Sequence, residues 1–291
     1  MATGYNKPLI VIAGPTASGK TGLAIDLAKE LDGEIVCADS RTVFKGMDIG
    51  TAKPTKKEQA IVPHWGLDLV EPNERFTAAD FKKYALATIA DIRAQGKTPL
   101  LVGGTGLYVD GIIFDFEYDA AYDASLREKL DGMSVDKLIM YCKNNSILLP
   151  KNERNKRHLV RAIEQKSINT KRRDAPIENC IIVGIATNKR ELNKRIEARG
   201  EQLFENGVVA EATMLGKKYG WESEAMTGNI YPIVQSYLKN ELTLVEAIDL
   251  FTTSDQQLAK RQMTWFRRNP YIEWVSLTEA KDYIYTVLAH E

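Results

Sequence analysis

Short, mostly apolar runs fall at Leu9 to Ala13, Glu34 to Cys37, Leu67 to Val70 and Thr98 to Val102. Runs this short, with little alternation, predict strands buried on both faces, as in a parallel sheet. Between them the spacing lengthens to that of a helix, at Thr21 to Leu31 and most clearly at Ala78 to Ala94. This alternation is the rhythm of βαβ units. A helix is predicted from Thr105 to Ile113, after Gly103-Gly104, and the pattern then turns charged and weakly periodic from about Asp115 to Lys166. A final strand at Cys180 to Ala186 restores the first rhythm, and helices follow from Lys189 to Ala289. The fold class expected is α/β: a parallel-sheet core (1–114 and 179–291) interrupted by a small helical insertion (115–178). Asn169 to Ile177, with Lys171-Arg172-Arg173 and Pro176, reads as the exit linker.

Between the first strand and the first helix stands Gly14-Pro15-Thr16-Ala17-Ser18-Gly19-Lys20-Thr21. The spacing G-x-x-x-x-G-K-T lets two glycines curl the backbone so that successive N–H groups converge on one anion, and the next helix adds its positive end. Lys20 supplies a mobile charge for a terminal phosphate. The Thr21 hydroxyl is a candidate ligand for Mg²⁺. The core is therefore expected to be P-loop NTPase-like, with a diphosphate or triphosphate site. The loop alone identifies neither the phosphate compound nor whether a phosphoryl group moves.

Composition narrows the setting. With 291 residues and 44% hydrophobic positions the chain can bury a core of this kind. It has no apolar run long enough for a membrane span, and Met1 to Lys7 lacks the plan of a signal peptide, so no membrane association and a cytoplasmic location are expected. Cys37, Cys142 and Cys180 have neither the number nor the spacing of a disulfide framework or C-x-x-C motif, and read as buried small hydrophobes. Lys plus Arg and Asp plus Glu each number 39, so any nucleic-acid contact needs a local patch. Two candidates exist. From Lys151 to Arg173 the basic residues are Lys151, Arg154, Lys156, Arg157, Arg161, Lys166, Lys171, Arg172 and Arg173, against Glu153 and Glu164 alone. Lys260, Arg261, Arg267 and Arg268 surround Trp265 and Phe266. The first, as a charge run alone, reads sooner as a solvated helix face than as a backbone grip; the second reads equally as a contact to bases or backbone and as a helix whose aromatic side packs into the core.

Asp39 follows the second strand, at the sheet edge where α/β proteins place ligands; by itself it suits a helix cap or a metal partner as well as chemistry. Gly103-Gly104-Thr105-Gly106-Leu107-Tyr108 lies at another strand end, with the Thr105 hydroxyl able to face the same crevice. Taken with VPHWGLDLV and the late AKRQMTWFRR, GPTASGKT, ADSRTVFKGMDIGTAKP and GGTGLY resemble, in order from Ile10 to about Arg268, the bacterial tRNA dimethylallyltransferases, also called tRNA isopentenyltransferases. The resemblance implies transfer of a dimethylallyl group from dimethylallyl diphosphate to N6 of the adenosine 3′ of the anticodon in tRNA, by a monomer, with Mg²⁺ and without consumption of ATP. It implies a donor loop of Gly14, Pro15, Thr16, Ala17, Ser18, Gly19, Lys20 and Thr21, with Arg199 assisting. Asp39, Thr105 and Lys20 become the catalytic set. Asp39, Ser40, Arg41, Thr42 and Thr105 become the stretch that touches the target adenosine, with Arg127, Arg157, His158, Leu159, Val160 and Arg161 as tRNA contacts in the insertion.

The chemistry suits these roles. An exocyclic adenine amine is a poor nucleophile that needs a base, and an allylic diphosphate ionises readily once its leaving group is neutralised. The chain departs from the family pattern at Thr42 and Phe44, at His64-Trp65, at Ile230-Tyr231-Pro232-Ile233, and at Thr252 to Gln257, where relatives are Arg-rich. The alternatives are transfer to a free adenine nucleotide, a P-loop small-molecule kinase or NTPase, and an RNA-binding protein without turnover.

Overall fold

The computed structural model describes residues 7–118, 124–164, 172–228 and 230–290. The expectations for Met1 to Asn6, for Lys166 and Lys171, and for 169–171 of the exit linker lie outside them. In chain order the strands are β1 (Leu9–Ala13), β2 (Gly33–Cys37), β3 (His64–Trp65), β4 (Thr98–Gly103), β5 (Cys180–Ala186) and β6 (Glu273–Ser276). The helices are α1 (Lys20–Glu30), α2 (Lys56–Ile61), α3 (Ala78–Ala94), α4 (Gly106–Ile113), α5 (Ala124–Asp131), α6 (Val135–Asn144), α7 (Lys156–Glu164), α8 (Lys189–Glu205), α9 (Val208–Tyr219), α10 (Tyr231–Leu238), α11 (Leu244–Phe266) and α12 (Ala280–Leu288).

Among the described residues the strands form one six-stranded sheet in the order β3-β2-β4-β1-β5-β6, with every pairing parallel. All residues of β1, β2 and β4 are buried, which explains their mostly apolar reading. The register sets Ile10 beside Leu100 and Ile181, and Ile35 beside Leu100 and His64, so the strand ends reach the same edge. Because β4 inserts between β2 and β1, the loops leaving all three strands open side by side. This is the α/β, parallel-sheet core that the hydrophobic pattern predicted.

Two expectations are corrected. Leu67 to Val70 is not a strand of the sheet: Gly66 (φ 83) and Asp68 (φ 54) turn the chain, and Leu69 and Val70 donate to the Val43 carbonyl at 2.7 and 3.1 Å instead. The strand is the dipeptide before it, His64–Trp65. The region after Lys189 is not all helix either, since β6 adds to the outer side of β5. Its sequence, Glu-Trp-Val-Ser, is half polar because an edge strand has no second neighbour to bury it.

The chain divides into two compact units, Met1–Phe114 with Ala175–Glu291, and Asp115–Asp174. In the larger unit one cluster of buried residues joins the sheet to α1 and α12, and a second joins α9, α10 and α11 to Val43, Phe44 and Met47. The smaller unit packs α5, α6 and α7 on Leu130, Leu138, Cys142, Leu159, Val160 and Ile163.

Candidate functional site

α1 starts without a side-chain cap, as α9 does at Gly207, and unlike α9 it has no acidic residue in its first turn. α3 and α11 open with Thr77 and Thr243, whose side chains cap their own first turns in full capping boxes. The N-cap of α1 is Gly19 at φ 92, with no side-chain cap and no acidic residue in the first turn. Its free N–H groups, and the left-handed turns at Ala17 (φ 59) and Gly19, leave a concave donor surface suited to an anion. Thr16 to Thr21 line a crevice of about 830 Å³, whereas Gly14 and Pro15 are not among its lining residues.

Lys20 reaches back across the loop, donating to the Pro15 carbonyl at 2.5 Å and the Ser18 hydroxyl at 3.3 Å. The residue is half-buried in the crevice wall, with its ammonium end turned in against the loop. Desolvation of that end, aided by the Arg199 charge and opposed by Asp39, pulls it down to about 8. Arg199, on α8, donates to the Thr16 hydroxyl and lies 3.6 Å from Asp255.

The opposite wall is built by Asp39 to Thr42 and by Thr105. Asp39 Oδ1 accepts from the Arg41 N–H at 2.8 Å, closing a tight turn, while Oδ2 makes no hydrogen bond among the described residues. Thr105 Oγ1 accepts from the Ser40 N–H at 3.0 Å, and the Thr105 N–H donates to the Ala38 carbonyl at 3.2 Å. The turns after β2 and β4 are thus tied together across the sheet edge. The buried Thr42 hydroxyl donates to the Asp39 carbonyl at 3.3 Å, and Arg41 donates to the Glu224 carbonyl at 3.4 Å. Cys37, behind Asp39 in the lining, is pushed up to about 12 by burial and stays a thiol. Loop, Asp39, Ser40, Arg41, Thr42, Thr105 and Arg199 therefore meet in one crevice, although they are far apart in sequence.

The insertion candidates belong to the smaller unit and divide by burial. Arg157, His158 and Arg161 are exposed on α7. Leu159 and Val160 are 0% and 1% exposed, so their assignment as RNA contacts is corrected: five consecutive helical residues cannot share one face, and these two face their own core. Arg127 is engaged by Asp131 at 3.0 Å and by both oxygens of Glu164 at 3.1 and 3.0 Å, so its charge is already matched within the unit. The basic cluster around Trp265 resolves as a packed helix. Phe266 is fully buried, and the Trp265 indole donates to Asp110 at 2.6 Å, leaving Lys260, Arg261, Arg267 and Arg268 exposed.

Sequence reasoning missed several residues. Gln262 Oε1 accepts from the Thr16 N–H at 2.8 Å, and Arg195 donates to the Ser18 carbonyl at 3.3 Å. Glu211, nearly buried, accepts from the N–H groups of Asp48, Ile49 and Gly50 at 2.9, 2.7 and 2.8 Å, and from the Tyr231 hydroxyl at 2.9 Å. It thereby holds the segment whose Gly50, Thr51 and Ala52 line the crevice. The helical spacing of Gln262 and Trp265 was a legible signal. Glu211 carried none, because three of its partners are main-chain groups about 160 residues earlier and the fourth is a tyrosine hydroxyl on another helix.

Among the described residues no group of three or more His, Cys, Asp or Glu gathers to hold a metal. Thr21, exposed in the first turn of α1, is the kind of single hydroxyl donor that Mg²⁺ uses when phosphate oxygens and water supply its other ligands.

Comparison with known proteins gives one answer. A family model described as IPP transferase matches residues 42–269. The tRNA dimethylallyltransferase of Acetivibrio thermocellus is 38% identical, aligned over 93% of this chain and 92% of its own length. The tRNA dimethylallyltransferase 1 of Citrifermentans bemidjiense is 36% identical over 97% and 95%. Among solved structures, the tRNA isopentenylpyrophosphate transferase of Bacillus halodurans superposes with a TM-score of 0.74 at 34% identity, covering 98% of this chain and 96% of that one. A eukaryotic dimethylallyltransferase acting on tRNA shares the fold, with a TM-score of 0.77 at 22% identity over 94% of this chain and 75% of that one.

Proposed function

The chain belongs to the IPP transferase family, and on that premise we propose that it is a tRNA dimethylallyltransferase, moving a dimethylallyl group from its diphosphate to N6 of the adenosine 3′ of the anticodon. The observation that carries the chemistry is the meeting of an uncapped phosphate loop with Asp39 and Thr105 in one crevice. A phosphate loop alone would serve a kinase as well. A carboxylate fixed opposite it gives a nucleophile with a poor lone pair somewhere to leave its proton.

In the reaction, the C1–O bond of the donor breaks and a C1–N6 bond forms. The diphosphate leaves onto the loop N–H groups and Lys20, with Arg199 at its flank. Asp39 Oδ2 takes the N6 proton as the amine attacks, and the Arg41 N–H fixes the carboxylate through Oδ1. Thr105 and Ser40 keep that turn at a set distance from the loop. A Mg²⁺ ion bound with the diphosphate would be held by Thr21 and would neutralise leaving-group charge. Arg157, His158 and Arg161 are the surface offered to the tRNA backbone. We place it as a monomer in the cytoplasm, where such an enzyme would meet its tRNA. No helix among the described residues is long and apolar enough to cross a membrane.

The deciding experiment incubates the protein with Mg²⁺, dimethylallyl diphosphate and unmodified tRNA bearing adenosine 3′ of the anticodon, with AMP and ATP as parallel acceptors. Nucleoside mass spectrometry should show one five-carbon unit gained on the tRNA adenosine. Transfer to AMP alone, or phosphate release from ATP, would refute the assignment.

A further inference from the structure

Thr16 is held twice, and both holds lead to α11. Its backbone N–H donates to Gln262 Oε1 at 2.8 Å. Its hydroxyl accepts from Arg199 Nη1, and that same nitrogen lies 3.6 Å from Asp255 Oδ2. Asp255 and Gln262 are seven residues apart on one helix, two turns, and so share a face. Asp255 is 2% exposed, and a buried carboxylate persists only beside a compensating cation, a role that Arg199 fills. Arg199 Nε is buried without a hydrogen-bond partner among the described residues, so the guanidinium is located through Nη1. Three residues beyond Gln262, Trp265 ties the same helix to Asp110 on α4, next to the Thr105 turn.

We propose that Asp255 and Gln262 are positioning residues for the donor diphosphate. α11 sets the entry side of the phosphate loop through Thr16, directly by Gln262 and by way of Arg199 from Asp255. Asp255 lies within Thr252 to Gln257, where this chain departs from the Arg-rich pattern it otherwise resembles. A carboxylate so near a diphosphate site has two opposed effects. Its charge repels the anion, and its grip on Arg199 pre-arranges the loop for the anion; here the second outweighs the first. The inference rests on the donor site proposed above.

The test is a double-mutant cycle on the full chain: wild type, Asp255→Asn, Arg199→Ala and both. The readouts are donor KM, tRNA KM and kcat, together with calorimetric binding of inorganic diphosphate. Asp255→Asn should raise donor KM and the diphosphate Kd about tenfold while tRNA KM stays put, since small displacements of a binding group are costly. In the Arg199→Ala background the same change should cost less than about twofold, the non-additivity expected of a residue that acts through Arg199. Gln262→Ala should raise donor KM in both backgrounds, because its hold on Thr16 bypasses Arg199, and it supplies a second measurement if Asp255→Asn does not fold. A fall in diphosphate Kd with Asp255→Asn would make Asp255 a charge brake and overturn the proposal. Equal losses in both backgrounds would make it merely structural and do the same. Wild-type protein that binds diphosphate but modifies no tRNA would count against the function, while the diphosphate cycle still decides the positioning.

Discussion

In the proposed reaction the chemistry turns on Asp39 and Lys20, and each has a consequence of its own. Asp39→Ala should lower the rate of prenyl transfer by roughly 10²-fold or more while tRNA binding persists, because a base is lost and no grip on RNA backbone goes with it. Single-turnover rates set beside filter-binding constants check this, and parallel losses of both would return Asp39 to an RNA contact. Lys20, held down to about 8 by burial, loses its proton in the folded protein before it would in the unfolded chain. Its contribution to stability is therefore least favourable below pH 8 and improves as pH rises from about 8 towards 10.5. Donor binding runs the other way. A bound diphosphate favours the charged ammonium, so above pH 8 binding takes up a proton, and the Kd of an alkyl diphosphate already fully ionised there should rise with pH. Calorimetry between pH 7.5 and 9.5 measures this, with Lys20→Arg flattening the profile; an equal slope in that variant would place the titration elsewhere.

Elements matter here by how closely they approach. α4 can lie against α11 because Gly106 has no side chain: a Cβ there would stand 2.1 Å from Trp265 Cδ1. Gly106→Ala should therefore destabilise the protein, although alanine is the better helix former by about 1 kcal/mol, since overpacking costs about 1–3 kcal/mol and the bond to Asp110 keeps the indole from retreating. A lower urea midpoint is expected; a higher one would mean that the indole gives way freely. The strands and helices that build this edge were legible because each carries its own period. β1 and β5 have the bounds that their apolar runs predict, and α3 spans Ala78–Ala94 as read. β3 and β6 were not legible, one being two residues long and the other a half-polar edge, and neither leaves a pattern that hydrophobicity can mark.

Across the whole molecule, net charge is balanced, so RNA affinity must be local. Arg157 and Arg161, one turn apart and exposed on α7, are the pair through which the smaller unit would reach phosphates. Replacing both with Gln should weaken tRNA binding and reduce the slope of log K against log salt by about 1 to 2, close to one unit for each phosphate no longer neutralised. An unchanged slope would make this face an ordinary solvated one. Leu159 and Val160 between them should not be tested in this way, because their loss would open the core of the unit.

The features that sequence carried unaided are local in origin. The phosphate loop follows from glycine spacing between a strand and a helix, the sheet class from short apolar runs in alternation with helices, and the family from motifs that recur in order. Tertiary structure settled which groups share a site and which charges are already spent. Asp39 comes within the same crevice as the loop because β4 inserts between β1 and β2. Arg127 is matched by Glu164, Trp265 is turned to Asp110, and Gln262 and Asp255 converge on Thr16 from more than two hundred residues away. Such pairings depend on segments distant in the chain, and neither composition nor periodicity encodes where those segments meet.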